Sequence, residues 1–99
     1  MKWRYHPEAA EELLEGCVHY RGISSELGQA FYRDIEDGIA KILEGPRRWA
    51  VVEDGVRRFP IRRFPYGIYY TLVDNEEVVL IVAVKHMRRQ PGYWRDRVT

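Results

Sequence analysis

The sequence predicts an α+β domain, a small antiparallel sheet of about four strands with an N-terminal two-helix hairpin packed on one face, in the order β-α-α-β-β-β. Three observations predict it. Apolar residues recur every three or four positions through the first half of the chain. After Pro46 the period drops to two, and β-branched and aromatic residues take over at the same point. With 99 residues, 45% of them hydrophobic, the chain holds enough apolar mass for one core, so residues 1–99 are expected to form a single domain.

A short strand is expected at residues 2–5, where Trp3 and Tyr5 alternate with basic residues. Pro7 suits a first helical turn, and Glu8, Glu11 and Glu12 suit the positive end of its dipole. Ala10, Leu13, Leu14, Cys17 and Val18 then draw one stripe for burial, with Gly22 as the stop. Ser24 and Ser25 offer caps for a second helix, whose Leu27, Phe31, Ile35, Ile39 and Ile42 keep helical spacing as far as Gly45-Pro46. Residues 56–64 read as one strand, with Pro60 marking an edge or a bulge, and residues 66–73 as the next. Asp74-Asn75-Glu76-Glu77 makes a polar turn into residues 78–85, whose unbroken apolar run predicts a central strand buried on both faces. Pro91-Gly92 leaves Tyr93-Trp94-Arg95-Asp96-Arg97 as a tail or a single helical turn.

Charge is divided along the chain. Residues 1–46 carry five basic against nine acidic residues, a net of −4; residues 47–99 carry eleven against six, a net of +5. Ten of those eleven are arginines, whose planar fork matches phosphate and carboxylate, so an arginine-rich sheet face free of the acidic helices is expected. In the 56–64 strand, alternation would put Arg58 and Arg62 on one face and Arg57 and Arg63 on the other. No apolar run approaches the roughly 20 residues of a membrane-spanning helix, and residues 1–7 lack the apolar stretch of a secretory signal, which together predict residence in the cytoplasm without membrane contact. The lone Cys17 excludes an intrachain disulfide and reads as a core residue. The three histidines are far apart and the acids of the basic half fall at turns, so no metal is expected; no glycine-rich phosphate loop is present, so no cofactor is expected either.

Two segments carry a resemblance. One is Arg57-Arg58-Phe59-Pro60-Ile61-Arg62-Arg63-Phe64-Pro65-Tyr66-Gly67-Ile68-Tyr69-Tyr70, and the other runs from Val82 through Lys85-His86-Met87-Arg88-Arg89-Gln90-Pro91-Gly92 to Tyr93-Trp94. Together with the order of elements they resemble the RelE/ParE toxins of type II toxin-antitoxin systems. The resemblance implies a growth-inhibiting toxin, of the kind linked to plasmid stabilization, neutralised by a cognate antitoxin whose acidic or amphipathic segment covers the basic half. It leaves the activity open, because RelE-like members cut messenger RNA on the ribosome and ParE-like members inhibit DNA gyrase.

Metal-free RNA cleavage needs a base for the 2′-hydroxyl, cations for the phosphate and an acid for the leaving oxygen. Arginine supplies charge but no proton traffic, which leaves His86 and Tyr93. By the resemblance, Arg89 and Tyr93 match the basic and tyrosine positions after the last strand of the nucleases, so His86, Arg89 and Tyr93 form the catalytic set if the chain is a nuclease. The structural alternative makes His86 an ordinary strand-end residue and Tyr93-Trp94 an aromatic plug on the sheet. Gly67 departs from the nuclease pattern by standing where those enzymes carry a catalytic arginine, and Met87 falls near another of their basic positions; the loss favours a ParE-like inhibitor. Arg57, Arg58, Arg62, Arg63, Arg88 and Arg89 are the expected residues for binding a target or nucleic acid. A plain nucleic-acid-binding module, with those arginines beside Tyr69, is the reading from outside the family.

Overall fold

The computed structural model describes residues 1–98. Its elements are β1 (Lys2–Tyr5), α1 (Pro7–Ile23), α2 (Ser25–Glu44), β2 (Val51–Glu53), β3 (Val56–Pro60), β4 (Tyr66–Val73), β5 (Val78–His86) and a final 3₁₀ turn, Arg95–Arg97. The five strands form one sheet in the order β1-β5-β4-β3-β2. It is mixed rather than wholly antiparallel, because the helix hairpin carries the chain across the sheet to β2 at the far edge, and the antiparallel meander through β3 and β4 brings β5 back beside β1 in parallel. The strand beyond the expected four is β2, joined to β3 by the two-residue turn Asp54-Gly55, whose φ angles of 48° and 75° are those that right-twisted hairpins favour.

The helix boundaries follow local chemistry. His6 caps α1 by accepting the Glu8 N–H on Nδ1 at 3.1 Å, and Pro7 supplies a pre-set φ. Ser24 ends α1 in an extended conformation and caps α2, its hydroxyl accepting from the Leu27 N–H at 3.1 Å. The hairpin closes on small residues. A Cβ at Gly16 would lie 2.5 Å from the Phe31 ring, so only glycine allows α2 to approach α1 there. This explains why the buried stripe of α1 is Ala9, Glu12, Leu13 and Gly16, one step round from the expected one; Leu14 and Val18 are left exposed, beside Cys17, in a groove between the helices.

The sheet has two covered faces. Phe31, Ile35, Ile39 and Ile42 of α2 bury against Phe59, Ile68, Tyr70, Val79, Ile81 and Val84. Full burial of each such side chain stabilises by about 1.5–3 kcal/mol. On the opposite face Val56, Tyr69, Leu80, Val82 and Ala83 are covered by Trp94 from the C-terminal segment, with Tyr93 and Val98 at its margin. A bulge in β5 decides which residues face which side. Tyr69 pairs with Ala83 and Tyr70 with Ile81, leaving Val82 without a partner on β4. Val82 and Ala83 both lie against the tail, and the alternation is reset so that Val84 faces the helices and Lys85 the tail side.

Candidate functional site

Of the predicted set His86, Arg89 and Tyr93, the last two are brought together by a residue that the sequence reading passed over, Glu12 of α1, while His86 contacts Arg88 and Tyr66 instead. β1 stops opposite Ile81, so the outer edge of β5 beyond that point lacks a strand partner. Glu12 and Arg97 stand in for the missing strand: Glu12 Oε1 accepts the Val84 N–H at 3.0 Å, and Arg97 Nη1 donates to the Val82 carbonyl at 3.0 Å. The two pair directly, Arg97 Nη1 to Glu12 Oε1 at 3.0 Å, with side chains only 6% and 5% exposed. Glu12 Oε2 accepts from Arg89 Nη1 at 3.0 Å and from the Tyr93 hydroxyl at 2.6 Å. One buried carboxylate thus fastens α1, β5 and the C-terminal segment together.

Tyr93 is held in place by this arrangement. The Arg89 guanidinium lies 3.8 Å from its ring centroid and that of Arg97 5.0 Å. Burial, and then the hydrogen bond and charge of Glu12, push the phenol well above its ordinary range, against the opposing pull of the two arginines. Tyr93 is therefore protonated at neutral pH and its proton is directed at Glu12, an arrangement unsuited to a base. His86, at the end of β5, accepts the Arg88 N–H on Nδ1 at 3.1 Å and packs edge-on against Tyr66, with ring centroids 5.1 Å apart. Trp94, 2% exposed, is the aromatic plug of the structural alternative.

The arginines do not form one docking face, which corrects the expectation from charge. Arg57 turns toward the helix side and donates to the carbonyls of Arg47 at 3.0 Å and Trp49 at 2.7 Å. Arg63 makes a bidentate pair with Asp34 of α2, at 3.0 and 2.7 Å. Arg62 lies on that side too, near Asp34 and Asp37, because β3 ends at Pro60 and alternation cannot be carried through to position 64. Arg89 and Arg97 are bound to Glu12, Arg95 pairs with Glu53 and Arg47 with Glu76. The basic half meets acids of the helices through Arg63, Arg89 and Arg97. Among the candidates, Arg57, Arg58, Arg62 and Arg88 have no carboxylate partner among the described residues, and Arg57 is taken up by the two carbonyls.

Gly67 lies on the tail side of the sheet, paired with Lys85 across β5 and with Pro60 across β3. A Cβ there would meet the Tyr69 ring at 3.3 Å and the aliphatic stem of Arg58 at 3.4 Å, so the Arg58 side chain occupies the space that a larger residue would claim. Neither Arg62 nor Arg63 reaches this gap. Arg58, Tyr69, Lys85 and Trp94 instead line a pocket of about 290 Å³. Lys85, a further residue the sequence reading missed, is lowered from its usual range by burial and then by the positive charges of Arg58 and Arg89. A lysine closing an apolar strand run was the available signal for Lys85, and a carboxylate between Ala9, Leu13 and Gly16 was the signal for Glu12. No group of three or more metal-ligating His, Cys, Asp or Glu side chains occurs among the described residues, and no helix among them is long and apolar enough to cross a membrane.

A crossover helix hairpin over a five-stranded sheet, closed by a short C-terminal segment on the other face, defines the fold class of small toxins of the ParE and RelE kind. The fold is similar to that of a chain from the chromosomal ParDE toxin-antitoxin system of P. aeruginosa, with a TM-score of 0.76 and 17% identity over 89% of this chain and 97% of that one. It is also similar to the isolated E. coli RelE toxin, with a TM-score of 0.63 and 17% identity over 99% of this chain and 98% of that one. No curated protein sequence matches. Residues 4–91 match the family described as the ParE toxin of the type II toxin-antitoxin system parDE. The chain belongs to this family.

Proposed function

We propose that this type II toxin acts in the cytoplasm by inhibiting a protein target in the ParE manner, with DNA gyrase as the first candidate, and that a cognate antitoxin holds it inactive. The observation that carries the reading is the commitment of Tyr93 and Arg89 to Glu12, at 2.6 and 3.0 Å, which takes the tyrosine and one arginine of the expected nuclease set out of proton transfer and phosphate binding. Gly67 adds to it, since the position where the nucleases carry a catalytic arginine has no cation of its own. The alternative, a ribosome-dependent mRNA endoribonuclease, keeps some support in His86 and the exposed Arg88 at the end of β5. The nucleic-acid-binding module loses its ground, because a row of phosphates needs a continuous run of available cations and the arginines point to both sides of the sheet.

The test is to express the chain in growing cells and assay the purified protein on DNA gyrase and on translating ribosomes. Inhibited growth, inhibited supercoiling and intact message are expected, with Tyr93→Phe retaining the inhibition. Message cut by the wild type and spared by Tyr93→Phe would establish the nuclease instead.

A further inference from the structure

The pocket on the tail side of the sheet holds an excess of hydrogen-bond donors. Lys85 is 4% exposed, yet no carboxylate among the described residues pairs with it. Its ammonium donates to the carbonyls of His86 at 3.3 Å and Met87 at 3.5 Å, both long contacts, and lies 5.9 Å from the centroid of the Tyr69 ring, none of which supplies a counter-charge. Arg58 lines the same pocket without an acid partner, and the buried indole N–H of Trp94 has no acceptor. The one carboxylate at the pocket, Glu53, is committed to Arg95, whose Nη2 donates to it at 2.9 Å. A buried ammonium without a counter-charge is costly, and the group that would offset it must bring acceptors and negative charge.

We propose that this pocket is an oxyanion site that takes the carboxylate of a single acidic side chain from a partner protein, its oxygens meeting Lys85 and Arg58. The β5 bulge creates the site by turning Lys85 to the tail side, and Gly67 keeps it open by leaving room for the stem of Arg58. A carboxylate suits it better than a nucleic-acid phosphate. The pocket is small, about 290 Å³, and walled by Tyr69, Met87 and Trp94, a shape that suits one carboxylate head better than a run of phosphodiesters. Phosphate tracking also needs neighbouring free cations, and Arg89, Arg95 and Arg97 are held in internal pairs. Naming the antitoxin as the source of the carboxylate rests on the toxin reading above; the site itself does not.

The experiment titrates the isotope-labelled full chain with N-acetylglutamate α-amide, which carries one carboxylate, and separately with dimethyl phosphate, following the Trp94 indole N–H by NMR. A saturable shift is expected with the carboxylate and a weaker one with the phosphodiester. Lys85→Met should weaken the carboxylate by about tenfold or more, as loss of a charge-assisted bond implies. Arg58→Gln, on a partly exposed side chain, should weaken it severalfold and decides the matter if Lys85→Met does not fold. The proposal is overturned by the absence of a saturable shift, by equal binding in the folded variants, or by tighter binding of dimethyl phosphate. A chain that fails to inhibit growth but binds the carboxylate retains the site and loses only the antitoxin as its source. In the toxin reading, the protein encoded beside this gene binds Lys85→Met at least about tenfold more weakly than wild type.

Discussion

The two faces of the sheet are covered by different means. The helix face is sealed by a continuous apolar layer from two long helices, in which Phe31, Ile35 and Ile42 are wholly buried. The tail face is covered by a short irregular segment anchored by one indole and by a buried charge network centred on Glu12. Apolar burial is non-directional and tolerant of repacking, whereas a hydrogen-bonded ion network holds side chains at defined distances but fails when one member is lost. The first face supplies stability. The second fixes the positions of Arg89 and Tyr93, and the β5 bulge sets Lys85 beside them.

The largest effect should come from the helix face. Phe31→Ala, beneath the Gly16 contact, is expected to cost about 3–5 kcal/mol in urea unfolding, with every probe following one transition. Trp94→Ala should cost about 3 kcal/mol, the low end for a large aromatic, because a short segment can settle onto the sheet. Its amide exchange should rise over residues 87–98 and not in α2, and uniform loss of protection would erase the distinction between the faces. Alkaline pH sharpens the comparison further. Burial raises Tyr5, at the edge of the helix core, to about 12, and raises Tyr93 further still. Both exceed the ordinary tyrosine value of 10, so the unfolded chain releases these protons first; their contribution is full below pH 10 and declines as pH rises through 10 toward 12. Tyr93→Phe should lessen that decline when urea midpoints at pH 8 and 11 are compared. The smallest effect belongs to Arg63→Ala, whose side chain is 63% exposed in its pair with Asp34, and which should leave the urea midpoint unchanged within error.

The helix face was largely readable from residue pattern. Phe31, Ile35, Ile39 and Ile42 kept helical spacing, Ser24 announced the junction, and residues 66–73 and 78–85 alternated or ran apolar as strands do. The stripe of α1 was misjudged because helix contact there is set by the smallness of Ala9 and Gly16, which hydrophobicity does not register. β2 was missed although Asp54-Gly55 is a strong hairpin signal, since the strand before it is only three residues long. The tail face was far less readable. Tyr93, Arg89 and the Trp94 plug carried local motifs, but Glu12 lies 72 residues from Val84 and 85 from Arg97, and no local period encodes such a contact. The bulge that turns Lys85 was hidden within an unbroken apolar run, where both faces carry the same residue types. Charge composition misled for a related reason: a surplus of arginine in one half and of acid in the other predicts attraction, and the fold takes up part of it internally, in the pairs of Arg63, Arg89 and Arg97 with Asp34, Glu12 and Glu8.

The clamp between Glu12 and Arg97 bears most weight in this account, and a double-mutant cycle tests it directly. Glu12→Gln, Arg97→Met and the double variant would be unfolded in urea beside the wild type. A coupling of about 2–3 kcal/mol is predicted, with either single variant less stable than the double one. A coupling near zero would mean that the tail is held by apolar contact alone and that Glu12 does not join the two faces.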